Sequence, residues 1–182
     1  MDVEAVVHGM VFQVCDETGD VDGCHVPSLP RRCDYPDMGV RVGEDELRGL
    51  LREAADAVAA ALAPLGDWGP SGGRVGQYRS DLVADAAAHS VLDAAGVGVL
   101  SEESGEHDLG AAVVVVVDPL DGSTNASRRI PWYATSLCAV DRDGPVVALV
   151  RNLVTGRAYE AVRGRGATVD GRVLAPSRCS HL

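Results

Sequence analysis

Apolar residues recur along 44–63 at spacings of three and four: Leu47, Leu50, Leu51, Ala54, Val58 and Leu62. That period marks an amphipathic helix. Glu44, Asp45 and Glu46 suit its positive end, and Pro64 stops it. A Gly-rich loop follows over 65–79. A second helix is predicted from about 80 to 95, with Ser80 as N-cap and Gly96 as terminator. Its apolar side is Ala84, Ala87, Ala88, Val91, Leu92 and Ala95, and Asp81, Asp85 and His89 form another stripe. From 97 the period changes. Residues 97–100 are a short apolar run, and 112–117 contains five consecutive valines, as in a strand buried on both faces. Strands at 133–140 and 145–151 flank the turn Asp141-Arg142-Asp143-Gly144, and another spans 157–162. Arg163-Gly164-Arg165-Gly166 and Asp170-Gly171 read as further turns. The second half is therefore a β-meander, and the expected class is α+β: two helices packed on a mixed, mostly antiparallel sheet.

The 1–43 segment shows no such period and is expected to be an irregular extension. Cys15, Cys24, His25 and Cys33 lie in it without a C-x-x-C pair, so zinc is not expected there. The 182 residues, 46% apolar and only 4% aromatic, suit one or two compact domains with a Val, Leu and Ala core. The formal net charge of −11 repels a nucleic-acid backbone, so no nucleic-acid partner is expected. Five widely spaced cysteines, and a start without a basic and then apolar leader, favour a reducing cytoplasm. No apolar run approaches roughly 18 residues, so no membrane association is expected.

Chemistry concentrates in Asp118-Pro119-Leu120-Asp121-Gly122-Ser123-Thr124-Asn125. Two carboxylates at the end of a buried strand repel each other and are costly to desolvate, a conflict that a divalent cation removes. Pro119 fixes the backbone and is able to turn the Leu120 carbonyl toward the same cation, an oxygen ligand suited to Mg²⁺. Gly122 permits close approach of a phosphate, and the first N–H groups of a helix starting at Ser123 favour an anion. A surface turn is the bland alternative. At average residue usage the ordered string arises at a given start less than about once in a million. Glu102, in Ser101-Glu102-Glu103-Ser104 at the end of the 97–100 strand, is the third expected ligand. For Glu102 and Asp118 to share a cation the two strands must run parallel, through a crossover at 103–111 that is short for such a pair. His89, His107, Arg128 and Arg129 are weaker candidates, and Cys138 is expected to pack within its strand.

Gly98-Val99-Leu100-Ser101-Glu102-Glu103-Ser104 followed by Val117-Asp118-Pro119-Leu120-Asp121-Gly122-Ser123-Thr124-Asn125 resembles the inositol monophosphatase family. That family belongs to the lithium-sensitive, magnesium-dependent phosphatases, a group that includes fructose-1,6-bisphosphatases, bisphosphate nucleotidases and a class of histidinol-phosphatases. The resemblance spans roughly 44–178 and implies the N-terminal half of the layered αβ sugar-phosphatase fold. It implies metal ligation by Glu102, Asp118, the Leu120 carbonyl and Asp121, with Mg²⁺ as the cation and Mn²⁺ as an alternative. It also implies phosphate held by the N–H groups of Gly122 and Ser123, and a water oriented by the Ser123 hydroxyl together with an acid on the preceding helix. The family pattern for that acid is Asp-x-Val-Thr-x-x-Asp. Here Asp81-Leu82-Val83-Ala84-Asp85 lacks the Thr and brings the second Asp two residues early. Asp85 is the expected acid and Asp81 the alternative. The family's second domain carries a Trp-Asp motif, yet neither Trp68 nor Trp132 precedes an Asp. Residues 44–182 are thus expected to be the metal- and phosphate-binding domain alone. The expected function is Mg²⁺-dependent hydrolysis of a small phosphorylated metabolite, with inositol phosphate as the default. The alternative is an impaired paralogue that binds metal, phosphate or a partner without turnover. A homodimer is also open, since an uncovered domain face favours association.

Overall fold

The computed structural model describes residues 43–175. The 1–42 part of the irregular extension and the cysteines it carries lie outside the described residues, as does Cys179. The elements run α1 (Glu44–Leu62), α2 (Arg79–Ala94), β1 (Gly98–Ser101), β2 (Gly105–His107), β3 (Val114–Asp121), α3 (Ser123–Ser127), β4 (Ala134–Asp141), β5 (Gly144–Asn152), β6 (Ala158–Val162), β7 (Gly166–Val169) and β8 (Arg172–Val173). The strands form one mixed sheet in the order β2-β1-β3-β4-β5-β6-β7-β8. From β3 onward it is the expected meander. A short third helix, α3, adds to the two longer ones.

The alternation of side chains sorts the sheet into two faces. Val99, Val115, Val117, Leu137, Ala139, Val147 and Leu149 meet Leu47, Leu51, Ala54, Val58, Ala84, Ala88 and Leu92 in one core under α1 and α2. Val116, Cys138 and Ala148 form a smaller cluster on the other face. Alanines dominate where α1 and α2 touch: Ala54, Ala55, Ala84 and Ala88 are fully buried. Their small volume brings the helices close. Glu160 on β6 points into the helix layer and is held by Arg52 at 2.6 Å and by Arg48 at 3.1 Å. Burial pushes its carboxyl up, but the two guanidiniums outweigh that and hold it below the usual range. Cys138 is buried as expected, and burial pushes its thiol up to about 12.

β1 and β3 do run parallel, Gly98 beside Val114 and Ser101 beside Val117. The short connection works because β2 first folds back antiparallel along the outer edge of β1. The chain is thereby returned to the start of β1 before β3 begins, and no crossover helix is needed. It passes so close to Gly98 that a Cβ there would lie 2.3 Å from the Asp108 carbonyl oxygen. Only glycine fits at that crossing.

The start of α2 differs from the sequence reading. Its N-cap is Tyr78, and Ser80 lies inside the first turn, fully buried. Asp81, at the third helical position, accepts the Tyr78 N–H through Oδ2 at 2.8 Å. A carboxylate so placed satisfies a donor the helix cannot, and it favours the positive end of the helix. Gly96 ends the helix region in a left-handed conformation, φ 69°, as the sequence implies.

Candidate active site

The parallel seam delivers two acids to one place. The Glu102 N–H continues the ladder to the Val117 carbonyl at 3.0 Å, so Glu102 stands beside Asp118. Their carboxyl groups are in hydrogen-bonding contact. Burial, then the charges of Glu102 and Asp121, push the Asp118 carboxyl up to about 8. Carboxyls crowded in this way disfavour a second negative charge.

The register of β3 explains how Asp121 joins them. Asp118 pairs with Ser136 and Asp121 with Ala134, so β3 carries one residue more than β4 between those points. The bulge returns Asp121 to the face of Asp118, which three regular steps would not do. It is closed by the Leu120 N–H, which donates to Asp118 Oδ1 at 3.2 Å. The Leu120 side chain is anchored in the core, which fixes the peptide whose carbonyl the sequence assigns to a cation.

Gly122 then turns the chain at φ 83° into α3. A side chain there would be strained, and its Cβ would sit 3.0 Å from the Trp132 carbonyl oxygen. Asn125 donates to that same carbonyl at 2.9 Å, so residues 130–133 brace the turn from outside. The first N–H groups of α3 lack carbonyls one turn earlier, which leaves donors beside the acidic cluster.

The acid that faces α3 is Asp81. Its carboxyl is pushed up to about 6 by burial, and by the charges of Glu103 and Glu102. The Tyr78 N–H and the Ser123 hydroxyl favour its ionised form. Asp81 is 2% exposed, and its Oδ1 has no hydrogen-bond partner among the described residues. Asp85, favoured for this post by the sequence, lies one helical turn further along. Its described contacts are with the Ser101 hydroxyl and, at 3.9 Å, His89 Nε2. The choice of Asp85 rests on the resemblance, whose pattern puts an Asp after the one that opens the motif, with Asp81 as the alternative. The signal it passes over is an Asp three residues after the true cap.

Two further residues border the cluster. Glu103 accepts from Arg74 and from Gln77, both at 2.7 Å, and so draws the Gly-rich loop toward the site. The Tyr78 hydroxyl reaches Thr124 Oγ1 at 3.4 Å, and that contact lowers its pKa. His89 and His107 pack edge to face with ring centroids 4.4 Å apart.

Among the described residues no three His, Cys, Asp or Glu side chains stand close enough to enclose an ion as they lie. The donor set fits a hard divalent cation nevertheless. Burial, and then the charges of two neighbouring carboxylates, hold the Asp118 carboxyl protonated well above the usual range, and a cation relieves the repulsion among them.

A family model described as the inositol monophosphatase family matches residues 79–182. A fructose-1,6-bisphosphatase/inositol-1-monophosphatase of Methanothermobacter thermautotrophicus is 36% identical over 118 residues, 56% of this chain and 42% of that protein. One of the same description from Archaeoglobus fulgidus is 38% identical over 147 residues, 76% of this chain and 57% of that protein. A solved structure from Pyrococcus horikoshii, a hypothetical protein with similarities to inositol-1 monophosphatase, superposes with a TM-score of 0.69 at 27% identity. It covers 76% of this chain and 57% of that one. The chain thus spans 42% and 57% of the two curated relatives.

Proposed function

The chain belongs to the inositol monophosphatase family, and from that premise we propose that it contributes the cation- and phosphate-binding half of a Mg²⁺-dependent phosphate-monoester hydrolase. The observation that carries this reading is the meeting of Glu102 and Asp118 at the ends of two parallel strands, with Asp121 brought to the same face by the bulge. Ligands gather at the carboxyl ends of parallel strands.

In this reading the carboxylates of Glu102, Asp118 and Asp121 and the Leu120 carbonyl hold the cation, with Mn²⁺ as an alternative to Mg²⁺. When bound, such a cation supplies electrophilic stabilisation of phosphoryl oxygens and makes a nearby water more acidic. The N–H groups of Gly122 and Ser123 hold the phosphate. Asp81 takes the role the sequence gave to Asp85. Its unpartnered Oδ1 and the Ser123 hydroxyl orient the attacking water, and the Asp81 carboxylate takes the proton that water gives up. The substrate class is a small phosphorylated polyol or sugar; inositol phosphate and fructose bisphosphate are first choices because the relatives' names carry both activities.

Phosphate release from inositol 1-phosphate and fructose 1,6-bisphosphate, measured with Mg²⁺ and with EDTA, tests the reading. Release should require the cation, and Asp121→Asn should abolish it; undiminished release by that variant defeats the assignment. Mn²⁺ uptake without release of phosphate from either ester would instead mark the alternative, a chain that binds cation and phosphate without turnover.

A further inference from the structure

Glu102 and Glu103 lie on a tight turn between β1 and β2, where a flexible acidic side chain needs its backbone fixed before it can be aimed. Helix α2 supplies two groups, one turn apart, that reach this turn from the helix layer. The Ser101 hydroxyl donates to Asp85 Oδ1, and Ser101 Oγ in turn accepts the Glu103 N–H at 3.1 Å. Ser101 is fully buried and Asp85 is 7% exposed, so water does not compete for that contact. One turn later His89 Nε2 lies 2.8 Å from Ser104 Oγ. His89 Nδ1 faces Asp93 at 3.5 Å, which favours the tautomer with its proton there and leaves Nε2 to accept from Ser104. The His107 ring closes over His89 from β2. Ser101 and Ser104 flank the glutamate pair, and each is gripped by one of these two helix residues. The third hold is the Glu102 N–H on Val117.

We propose that Asp85 and His89 are positioning residues for Glu102: through Ser101 and Ser104 they fix the turn that aims its carboxylate at Asp118. The inference rests on the reading of Glu102 as a cation ligand. Asp85 acts through the serine hydroxyl. As acceptor it fixes the hydroxyl rotor, so that an oxygen lone pair meets the Glu103 N–H. With no acceptor behind it the hydroxyl turns, the N–H loses its partner, and the turn is free to rotate Glu102 away from the seam. Groups that orient a ligand in this manner typically change metal affinity about 10–100-fold.

Mn²⁺ titration of the folded protein, followed by electron paramagnetic resonance, tests this without recourse to activity. Asp85→Ala and Ser101→Ala should each weaken Mn²⁺ binding by about tenfold or more. The double variant should bind no worse than either single one, because both cut the same link. Leu92→Ala loosens α2 without touching the turn. It should lower the melting temperature and leave the Mn²⁺ affinity of the folded protein unchanged. Should Asp85→Ala fail to fold, Ser101→Ala and His89→Ala carry the test, with a similar loss expected for each. Folded Asp85→Ala binding Mn²⁺ as tightly as wild type, or losses that add in the double variant, would overturn the proposal alone. A wild type that takes up no Mn²⁺ overturns both the cation reading and this inference.

Discussion

Glu102 and Asp118 bring their carboxyl groups into contact across the parallel seam between β1 and β3. Burial, together with the crowding of these acids, sets the electrostatics of the cluster. With no cation present, a proton must do what the cation would do, and the pH at which that proton leaves becomes measurable.

Stability without metal should fall as pH rises. Asp81 and Asp118 titrate at about 6 and about 8 in the folded chain, above the ~3.9 of an unfolded aspartate. The folded state therefore keeps protons that the unfolded chain has released. Their contribution is full below pH ~4 and is lost as pH climbs through 6 and then 8. Thermal melts in EDTA should show the midpoint declining from pH 5 to 9. Asp118→Asn should flatten the upper part of that decline, and Mg²⁺ should raise the midpoint most at pH 9. A decline of the same steepness in Asp118→Asn would contradict the assignment.

Gly122→Ala should damage both stability and anion binding. Its φ of 83° and the Trp132 carbonyl 3.0 Å from any Cβ leave the residue no unstrained place. A cost of about 1–3 kcal/mol follows from the backbone strain. Denaturant melts read that cost, and isothermal titration with inorganic phosphate in Mg²⁺ should show weaker binding.

The core should respond to side-chain removal according to which face of a helix is touched. Leu51 on α1 is fully buried beneath the helix layer, whereas Leu82 on α2 is exposed. Leu51→Ala should cost about 2–5 kcal/mol. Leu82→Ala should stay within about 0.5 kcal/mol. Urea melts with an unchanged m-value separate the two.

Glu160→Ala should destabilise more than loss of an exposed ion pair, because it leaves Arg48 and Arg52 facing a partly buried site without their anion. About 1–3 kcal/mol is expected, against little or nothing for Asp143→Ala, which removes the exposed contact with Arg142. The same denaturant melts at neutral pH decide it. Equal losses would mean that Glu160 is no better placed than a surface carboxylate.

Periodicity, turn residues and the motif between Asp118 and Asn125 made the two long helices, the meander and the acidic loop legible before any coordinates. These features are local. A 3.6-residue stripe, a run of valines and an Asp-Gly turn each state their conformation within a few neighbours. What the sequence left open depended on phase and on distance. The cap of α2 moved from Ser80 to Tyr78 because a helix end is chosen by which backbone donors find partners, and the Asp81 carboxylate supplied one. The packed helix presents Asp81 to Ser123 and, one turn later, Asp85 to Ser101. The outward fold of β2 and the extra residue in β3 were equally out of reach. Strand pairing joins residues far apart in the chain, and a one-residue change of register exchanges the faces. The sequence by itself therefore determined which groups this protein offers for the proposed cation and phosphate sites. Only the tertiary structure decided which carboxylates face one another, because convergence of distant side chains is set by packing and register rather than by any short string of residues.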